Sequence, residues 1–285
     1  MKSVISLMSR LSLRSLYAIG DYVIFPLLFY VVRYRRKLCY RNMRESFPEW
    51  TEEQVRELEK RFYHHFVDVI MEIVRSYRAS EEEMQQYIQF ANLPDIERWT
   101  EANGGLFFML GHMGNWEWLA SIQQWVSPGV KELNVYRKLK SEAMDKTMLM
   151  LRAKRGGACV EKQRILREMV RDRAEKQPVT IGLLSDQKPR PEVTRTWVDF
   201  LHQQTGFLDG GEVLGKKFGY PVFYLYVTRT QRGYYHVDMK TVSANPKESA
   251  DGEITTTYAR MLERNINEQP FLWLWTHNRW KWQRG

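Results

Sequence analysis

A histidine and a glutamate stand five residues apart in LGHMGNWEWLA, residues 110–120, and together these two side-chain types can move protons. Positions five apart lie about 140° around a helix axis, so His112 and Glu117 do not face the same side of one helix. The apolar run LFFML ends just before Gly111, and Asn115 is a favourable residue to begin a helix. The spacing therefore predicts a strand-to-helix corner, with His112 at the strand end and Glu117 in the first helical turn.

Such a pair suits general-base chemistry. A neutral imidazole accepts a proton from a hydroxyl, and a carboxylate on its other nitrogen fixes the tautomer and stabilises the cation. No serine or cysteine stands beside His112, so the reacting hydroxyl would belong to a substrate. From the residues alone, the alternative is a hydrogen-bonded corner histidine with a purely structural role.

Two further polar residues follow predicted strands. Asp186, in GLLSDQKP, ends one strand as His112 ends another, and Arg137, in NVYRKLK, ends a third. Asp186 can reach the same rim or cap a turn, and Arg137 can bind a phosphate or lie on a solvated basic face. The other histidines and the two cysteines lack the spacing of a metal site.

The second part of the chain alternates strands and helices. Such alternation predicts an α/β fold, with a sheet covered by helices on both faces. The predicted strands are 106–110, 133–136, 179–185, 196–201, 221–227 and 234–239, and the predicted helices are 116–125, 141–155, 162–176 and 254–268.

The first part of the chain is predicted to be helical. Residues 11–32 are mostly apolar, but their longest uncharged run, 22–32, is 11 residues long, whereas a full membrane span needs ~20. The cationic stretch VRYRRKLCYR follows. This pattern favours a membrane anchor whose basic end stays in the cytoplasm, and the alternative is a buried core helix. Thr51 and Gln54 then predict a capping box at the start of a long amphipathic helix.

Bulk properties agree with a folded, membrane-associated protein of 285 residues. Hydrophobic residues make up 44% of the chain and the formal net charge is +9, which favours an acidic partner or an anionic surface. Two cysteines indicate a reducing compartment. We divide the chain into an amino-terminal anchor and amphipathic helices, 1–95, and an α/β domain, 96–285.

Five blocks of the sequence stand out together: NMRESFPEWTEEQ with Asn42, Phe47 and Pro48, GHMGNWE with His112 and Glu117, VYRKLK with Arg137, LLSDQ with Asp186 and Gln187, and QPFLWLWTHNRWK with Trp275 and Arg279. In this order they resemble the bacterial lipid A biosynthesis acyltransferases of the lauroyl and myristoyl transferase type, within the glycerolipid acyltransferase superfamily. The resemblance covers nearly the whole chain. It departs at Lys138, where the family often has proline, and in DFLHQQTGF, which lacks the family's Phe-Phe-Gly glycine.

The resemblance implies a mixed central sheet and transfer of a fatty acyl group from acyl carrier protein to a hydroxyl of a lipid A precursor. It implies no cofactor and no metal, and a place on the cytoplasmic face of the inner membrane. His112 would be the general base and Glu117 its orienter, while Arg137, Asp186 and Gln187 would contact or support the substrate. The departures lie where the acceptor or acyl chain would bind, so they leave the exact substrate open.

Other functions stay open at this point. The acceptor could be a lysophospholipid or an aminolipid, and water in place of a hydroxyl would make the protein a thioesterase. A non-catalytic basic membrane-binding protein is a further alternative. No RNA-binding signature is present, and we do not expect nucleic acid as a partner.

Overall fold

The computed structural model of the protein describes residues 2–127, 129–139, 141–154 and 156–282. Within them, seven strands form a mostly parallel central sheet in the order β1-β9-β8-β2-β5-β3-β4, and β6 and β7 form a separate hairpin. The strands are β1 (Ile88–Phe90), β2 (Gly105–Leu110), β3 (Lys131–Tyr136), β4 (Ala158–Glu161), β5 (Val179–Leu184), β6 (Thr196–Phe200), β7 (Gln203–Phe207), β8 (Val222–Gln231) and β9 (Tyr234–Ser243).

Helices flank this sheet, so the predicted α/β fold with a mixed sheet is confirmed. The amino-terminal helices are α1 (Lys2–Met8), α2 (Leu13–Ile19), α3 (Arg36–Ser46), α4 (Glu52–Ser76) and α5 (Glu81–Tyr87). Those that alternate with the strands are α6 (Leu93–Asn103), α7 (Trp116–Leu119), α8 (Glu142–Ala153), α9 (Ile165–Ala174), α10 (Gly210–Phe218) and α11 (Glu253–Glu268).

One predicted strand belongs to a different sheet. Residues 196–201 do form a strand, β6, but it pairs antiparallel with β7 and lies outside the central sheet. Three further strands, β1, β4 and β7, were not predicted. Their sequences, IQF, ACVE and QQTGF, are short and mix polar with apolar residues. Such strands depend on tertiary pairing rather than on a local pattern.

The sheet brings the candidate residues to one edge. β2 pairs in parallel with both β5 and β8, and β3 pairs in parallel with both β5 and β4. The carboxyl ends of these strands therefore meet at the same edge, where ligands gather in α/β sheets. β2 and β5 are immediate neighbours, and β3 lies beyond β5.

The amino-terminal segment packs along α4. α2 continues through two π-helical turns, Gly20–Ile24 and Leu27–Val31, and Phe25 and Phe29 join the main hydrophobic core. In the described part of the chain no single helix is long and apolar enough to cross a membrane. Leu13–Val31 and Arg36–Ser46 meet the length and composition criteria only as a pair bent by 84°.

The predicted capping box of α4 is confirmed, because Thr51 and Gln54 exchange both of its hydrogen bonds.

α4 carries buried carboxylates that bind the amino-terminal segment. Arg232 of the β8–β9 turn bridges Asp68 to Asp21 with contacts of 2.5 and 2.7 Å. One core therefore runs across the predicted boundary at residue 95, and the division into two domains stays a prediction.

Glu72 of α4 joins three parts of the fold. Its carboxylate accepts hydrogen bonds from the Tyr17 hydroxyl at 2.7 Å, the Asn115 amide at 2.8 Å and the Tyr235 hydroxyl at 2.9 Å. Burial raises the pKa of Glu72 from 4.5 to about 7, although these three donors act to lower it.

Stability should therefore fall with pH at this carboxylate. The folded protein binds a proton at Glu72 more tightly than the unfolded chain, so this contribution is complete below pH 4.5 and is lost as pH rises through about 7. Its size is on the order of 1.4 kcal/mol per pKa unit. We expect Glu72→Gln to flatten the fall in melting temperature between these pH values, as measured by circular dichroism. Glu52→Gln, on the exposed pair with Arg56, is the control and should keep the slope.

Candidate active site

The corner between β2 and α7 has the predicted construction. A Cβ on Gly111 would lie 2.6 Å from Leu262 of α11, so only glycine permits this close approach. Gly114 has a φ of +56°, a left-handed conformation that favours glycine. The Asn115 side chain accepts a hydrogen bond from the Trp118 amide at 3.2 Å and begins α7. The sequence prediction of a strand-to-helix corner is confirmed.

The imidazole of His112 contacts Asp186, which follows the end of the neighbouring strand β5. His112 Nδ1 lies 2.6 Å from Asp186 Oδ1, and the His112 backbone N–H donates to Oδ2 at 2.8 Å. The indole N–H of Trp273 donates to the same Oδ2 at 2.9 Å. The Asp186 carboxylate is thus held on three sides, and its orientation fixes that of the imidazole.

The expected contact between Glu117 and His112 is not made among the described residues, and the role of Glu117 stays a prediction. Glu117 receives two hydrogen bonds from the Arg152 guanidinium of α8, at 2.8 and 2.7 Å. This bidentate ion pair occupies its carboxylate, whereas Asp186 leaves the adjacent strand opposite the imidazole. Glu117 still acts at longer range, since its charge helps to raise the pKa of His112.

Electrostatics in the pair favour the imidazolium. Burial acts to lower the pKa of His112, but the Asp186 carboxylate outweighs it, and the net shift is upward. Burial acts to raise the pKa of Asp186, but His112 and the other donors outweigh it, and the net shift is strongly downward. Asp186 is therefore a fixed anion, and it makes His112 a stronger base.

The second ring nitrogen of His112 faces the rim of the site. Nε2 lies 3.3 Å from the side-chain amide nitrogen of Gln187, which is exposed. When Nδ1–H donates to Asp186, Nε2 carries the free lone pair and can accept a proton. The Trp116 ring lies edge-on to the imidazole with centroids 5.3 Å apart, and only 7% of His112 is exposed.

Arg137 ends β3 at the same edge but further away. β5 lies between β2 and β3, so two strand spacings, or about 10 Å, separate the strand that carries Arg137 from that of His112. Arg137 is exposed and makes no hydrogen bond or ion pair within the described residues. It is therefore available to a ligand that extends across the edge of the sheet.

The carboxyl-terminal tail packs against the corner that carries His112 and forms one wall of the candidate site. The Leu274 N–H donates to the His112 carbonyl at 3.1 Å, and the Gly114 N–H donates to Leu272 at 3.0 Å. Trp273 thereby reaches Asp186. The family resemblance included this tryptophan-rich segment, but its composition equally fits a buried core or an aromatic belt at a membrane interface, so no role could be assigned to the segment from sequence. Arg152 gave no local signal at all, because its partner lies 35 residues away.

The arrangement can perform acid–base chemistry on a hydroxyl. Among the described residues, no group of three or more His, Cys, Asp and Glu side chains is arranged to hold a metal ion. Two histidines are buried within these residues: burial lowers the pKa of His65 to about 3, whereas Asp186 raises that of His112, whose Nε2 faces the strand edge.

Comparison with known proteins connects this geometry to a biochemical class. A family model for bacterial lipid A biosynthesis acyltransferases matches residues 7–282, nearly the whole chain. The chain belongs to this family. It is therefore an acyltransferase of lipid A biosynthesis, which takes an acyl donor and a lipid acceptor. The comparison with curated proteins produced no match.

In this lipid A biosynthesis acyltransferase, one side of the His112 imidazole is closed by Asp186 and Trp273, and Nε2 on the other side faces the rim that carries Gln187. The family match extends to residue 282 and includes the tail that holds Asp186 in position.

Proposed function

We propose that this acyltransferase moves a fatty acyl group from an acyl carrier protein thioester to a hydroxyl of a lipid A precursor, with His112 as general base and Asp186 as its orienter. The observation that supports this most is the 2.6 Å contact between His112 Nδ1 and Asp186, which leaves Nε2 free at the carboxyl edge of the sheet. The geometry is that of a base and orienter without a protein nucleophile.

In this mechanism Nε2 of His112 removes the proton of the acceptor hydroxyl as its oxygen attacks the thioester carbonyl. The new C–O bond forms a tetrahedral oxyanion, and the imidazolium is stabilised by Asp186. Collapse of this intermediate breaks the C–S bond. The leaving thiolate takes the proton from the imidazolium, so His112 returns to its neutral form.

Glu117 is proposed as a positioning residue rather than as the orienter. Its ion pair with Arg152 joins α7 to α8 beside the site, with side chains that are 13% and 19% exposed. Breaking one member of such a partly buried pair leaves an uncompensated charge, which costs more than the pair itself contributes. The pair keeps the short α7, and with it the corner, in place.

Arg137 and Gln187 are proposed to contact the acceptor, and the positive charge of the chain suits both substrates. The exposed guanidinium of Arg137 can bind a phosphate, and the Gln187 amide can hydrogen-bond to the acceptor beside Nε2. An acyl carrier protein is acidic, so the net charge of +9 favours its encounter with this chain.

We propose that α2 and its two π-helical turns, together called the amino-terminal helix, dock on the cytoplasmic face of the inner membrane. In the described part of the chain, 10 of the 17 exposed large hydrophobic side chains lie within residues 4–34. The buried face of this helix packs on α4, while Tyr22, Val23 and Val31 on the other side are 83%, 55% and 73% exposed. A helix that is apolar all round, with arginines after it, suits an anionic bilayer surface.

Substitution on the exposed face tests this docking. We expect Val23→Asp with Val31→Asp to weaken sedimentation with anionic liposomes at least tenfold, because each change places a charge in the apolar contact. Val170→Asp with Val193→Asp is the matched control, since these side chains are 54% and 62% exposed elsewhere. Equal sedimentation of both variants would contradict the docking face. Point changes are preferable to deletion, which would remove Tyr17 from Glu72 and Asp21 from Arg232.

Activity is tested by acyl transfer with purified protein, acyl carrier protein thioesters and a lipid A precursor, followed by mass spectrometry. We expect one added acyl chain per acceptor and a requirement for the carrier protein rather than for coenzyme A. A preference for a lysophospholipid acceptor would overturn the lipid A precursor as the substrate. Release of free fatty acid without any acceptor would instead identify a thioesterase.

A further inference from the structure

Three segments bring cationic side chains together beside the active site. The guanidinium of Arg35, after the amino-terminal helix, donates to the Thr276 carbonyl at 2.9 Å. The backbone N–H of Lys188, which follows Asp186 and Gln187, donates to His277 Nε2 at 3.4 Å. Lys281 lies in the same tail as Thr276 and His277. We call Arg35, Lys188, Lys281 and the buried Arg279 the cationic cluster.

No carboxylate of the described residues pairs with the cationic cluster, since none of their carboxylate oxygens lies within 4 Å of a side-chain nitrogen of its four members. Partial burial lowers the pKa of Lys188, and Lys281, Arg35 and Arg279 lower it further. Arg152, by contrast, is ion-paired with Glu117. Like charges held together without such a partner favour an anion.

Arg279 lies behind this group with part of its donor capacity unused. It is 3% exposed, and its Nη2 donates to the Gly206 carbonyl at 2.5 Å. Its Nε is buried without a hydrogen-bond partner, and burial lowers its pKa to about 10. The nearby carboxylate of Asp186 already accepts hydrogen bonds from His112 and Trp273. A buried guanidinium of this kind adds positive potential to the surface in front of it.

The cationic cluster adjoins both Nε2 of His112 and the end of the amino-terminal helix. Lys188 directly follows Gln187, whose amide lies 3.3 Å from His112 Nε2. Arg35 directly follows the segment whose exposed apolar side chains end at Tyr34. An anion bound between Lys188 and Arg35 would therefore lie at the level of lipid headgroups, beside the base. This position suits an anion that belongs to a lipid.

We infer that Arg35, Lys188 and Lys281 bind a phosphate group carried by the lipid acceptor, with Arg279 adding charge from behind. This inference rests on the proposed function for its choice of lipid. Lysine ammonium and arginine guanidinium groups are the usual protein ligands of phosphate. The phosphate holds the acceptor with its hydroxyl toward His112.

Direct binding tests the inference without turnover. The probes are lipid A and enzymatically dephosphorylated lipid A in neutral detergent micelles, titrated against the full-length protein by thermophoresis. We expect Lys188→Gln with Lys281→Gln to raise the Kd for lipid A about 10–100-fold, since hydrogen bonds to charged groups are strong. The Kd for the dephosphorylated lipid should stay the same. Lys281→Gln alone, at an exposed position, serves if the double variant melts early.

The control is Lys217→Gln with Lys247→Gln, which removes the same charge from exposed positions at the opposite edge of the sheet. An unchanged Kd for lipid A, or equal losses for both lipids, would overturn the inference. A loss of the same size on phosphatidylglycerol vesicles without lipid A would assign the phosphate to the bilayer and also overturn it. Because binding is read without acyl transfer, an inactive protein with phosphate-dependent binding would refute only the proposed reaction.

Discussion

Replacing His112 with alanine is expected to reduce acyl transfer about 10²–10⁴-fold, the usual contribution of a general base. The other buried histidine, His65, interacts with the backbone of Gly114, but burial lowers its pKa to about 3, so it is too weak a base to take over the proton. The measurement is single-turnover transfer from a labelled acyl carrier protein thioester to the lipid acceptor.

Folding and membrane attachment should survive this change. Asp186 keeps its hydrogen bonds from the His112 backbone N–H, which alanine retains, and from Trp273. A matched melting curve and liposome sedimentation serve as controls. If a folded His112→Ala protein still transferred acyl groups at close to the normal rate, His112 would be a structural corner residue and the mechanism would fail.

Asp186→Asn is expected to be about as severe, with a loss of up to about 10⁴-fold, as for the carboxylate of a serine-protease triad. The asparagine oxygen would still accept from the His112 backbone N–H and from Trp273. Its NH₂ group would then face His112 Nδ1 and donate to it. This selects the tautomer with a proton on Nε2, which cannot accept a second one.

The pH profile of this variant carries a separate signature. Asp186 raises the pKa of His112 against the effect of burial, so its loss lets burial lower that pKa. A base acts when it is neutral, so activity rises with pH through its pKa. We expect the acid limb of the residual activity of Asp186→Asn to move to lower pH.

Glu117→Gln distinguishes the two carboxylates. Glutamine keeps one hydrogen bond to Arg152 and does not touch the imidazole, so we expect a smaller loss of activity and a smaller shift of the acid limb to lower pH than for Asp186→Asn. A Glu117→Gln protein that lost more activity than Asp186→Asn, at the same melting temperature, would favour Glu117 as the orienter.

Much of the local structure near the site could be predicted from local sequence. Gly111, Gly114 and Asn115 produce the corner through backbone geometry and helix capping, which act over a few residues. The capping box at Thr51 is equally local. The strand β2 is a continuous apolar run because it is buried on both faces of a parallel sheet.

The choice between Asp186 and Glu117 could not be predicted in the same way. It depends on the strand order, which makes β5 the neighbour of β2, and on Arg152, which binds Glu117 from a helix much later in the chain. Spacing shows that two side chains can converge, but a competing ion pair decides whether they do. The contact of Trp273 with Asp186 is likewise a product of chain return rather than of pattern.

Through Glu72, the amino-terminal helix is linked to the corner that carries His112. Tyr17 of that helix and Asn115 of the catalytic corner bind the same buried carboxylate. A chimera that exchanged this helix for an unrelated transmembrane segment would still reach the bilayer, yet it would leave Glu72 without the hydroxyl of Tyr17 and loosen the residue that begins α7. The helix is thus part of the enzyme's interior as well as its proposed membrane contact, and it cannot be swapped between proteins without its partner on α4.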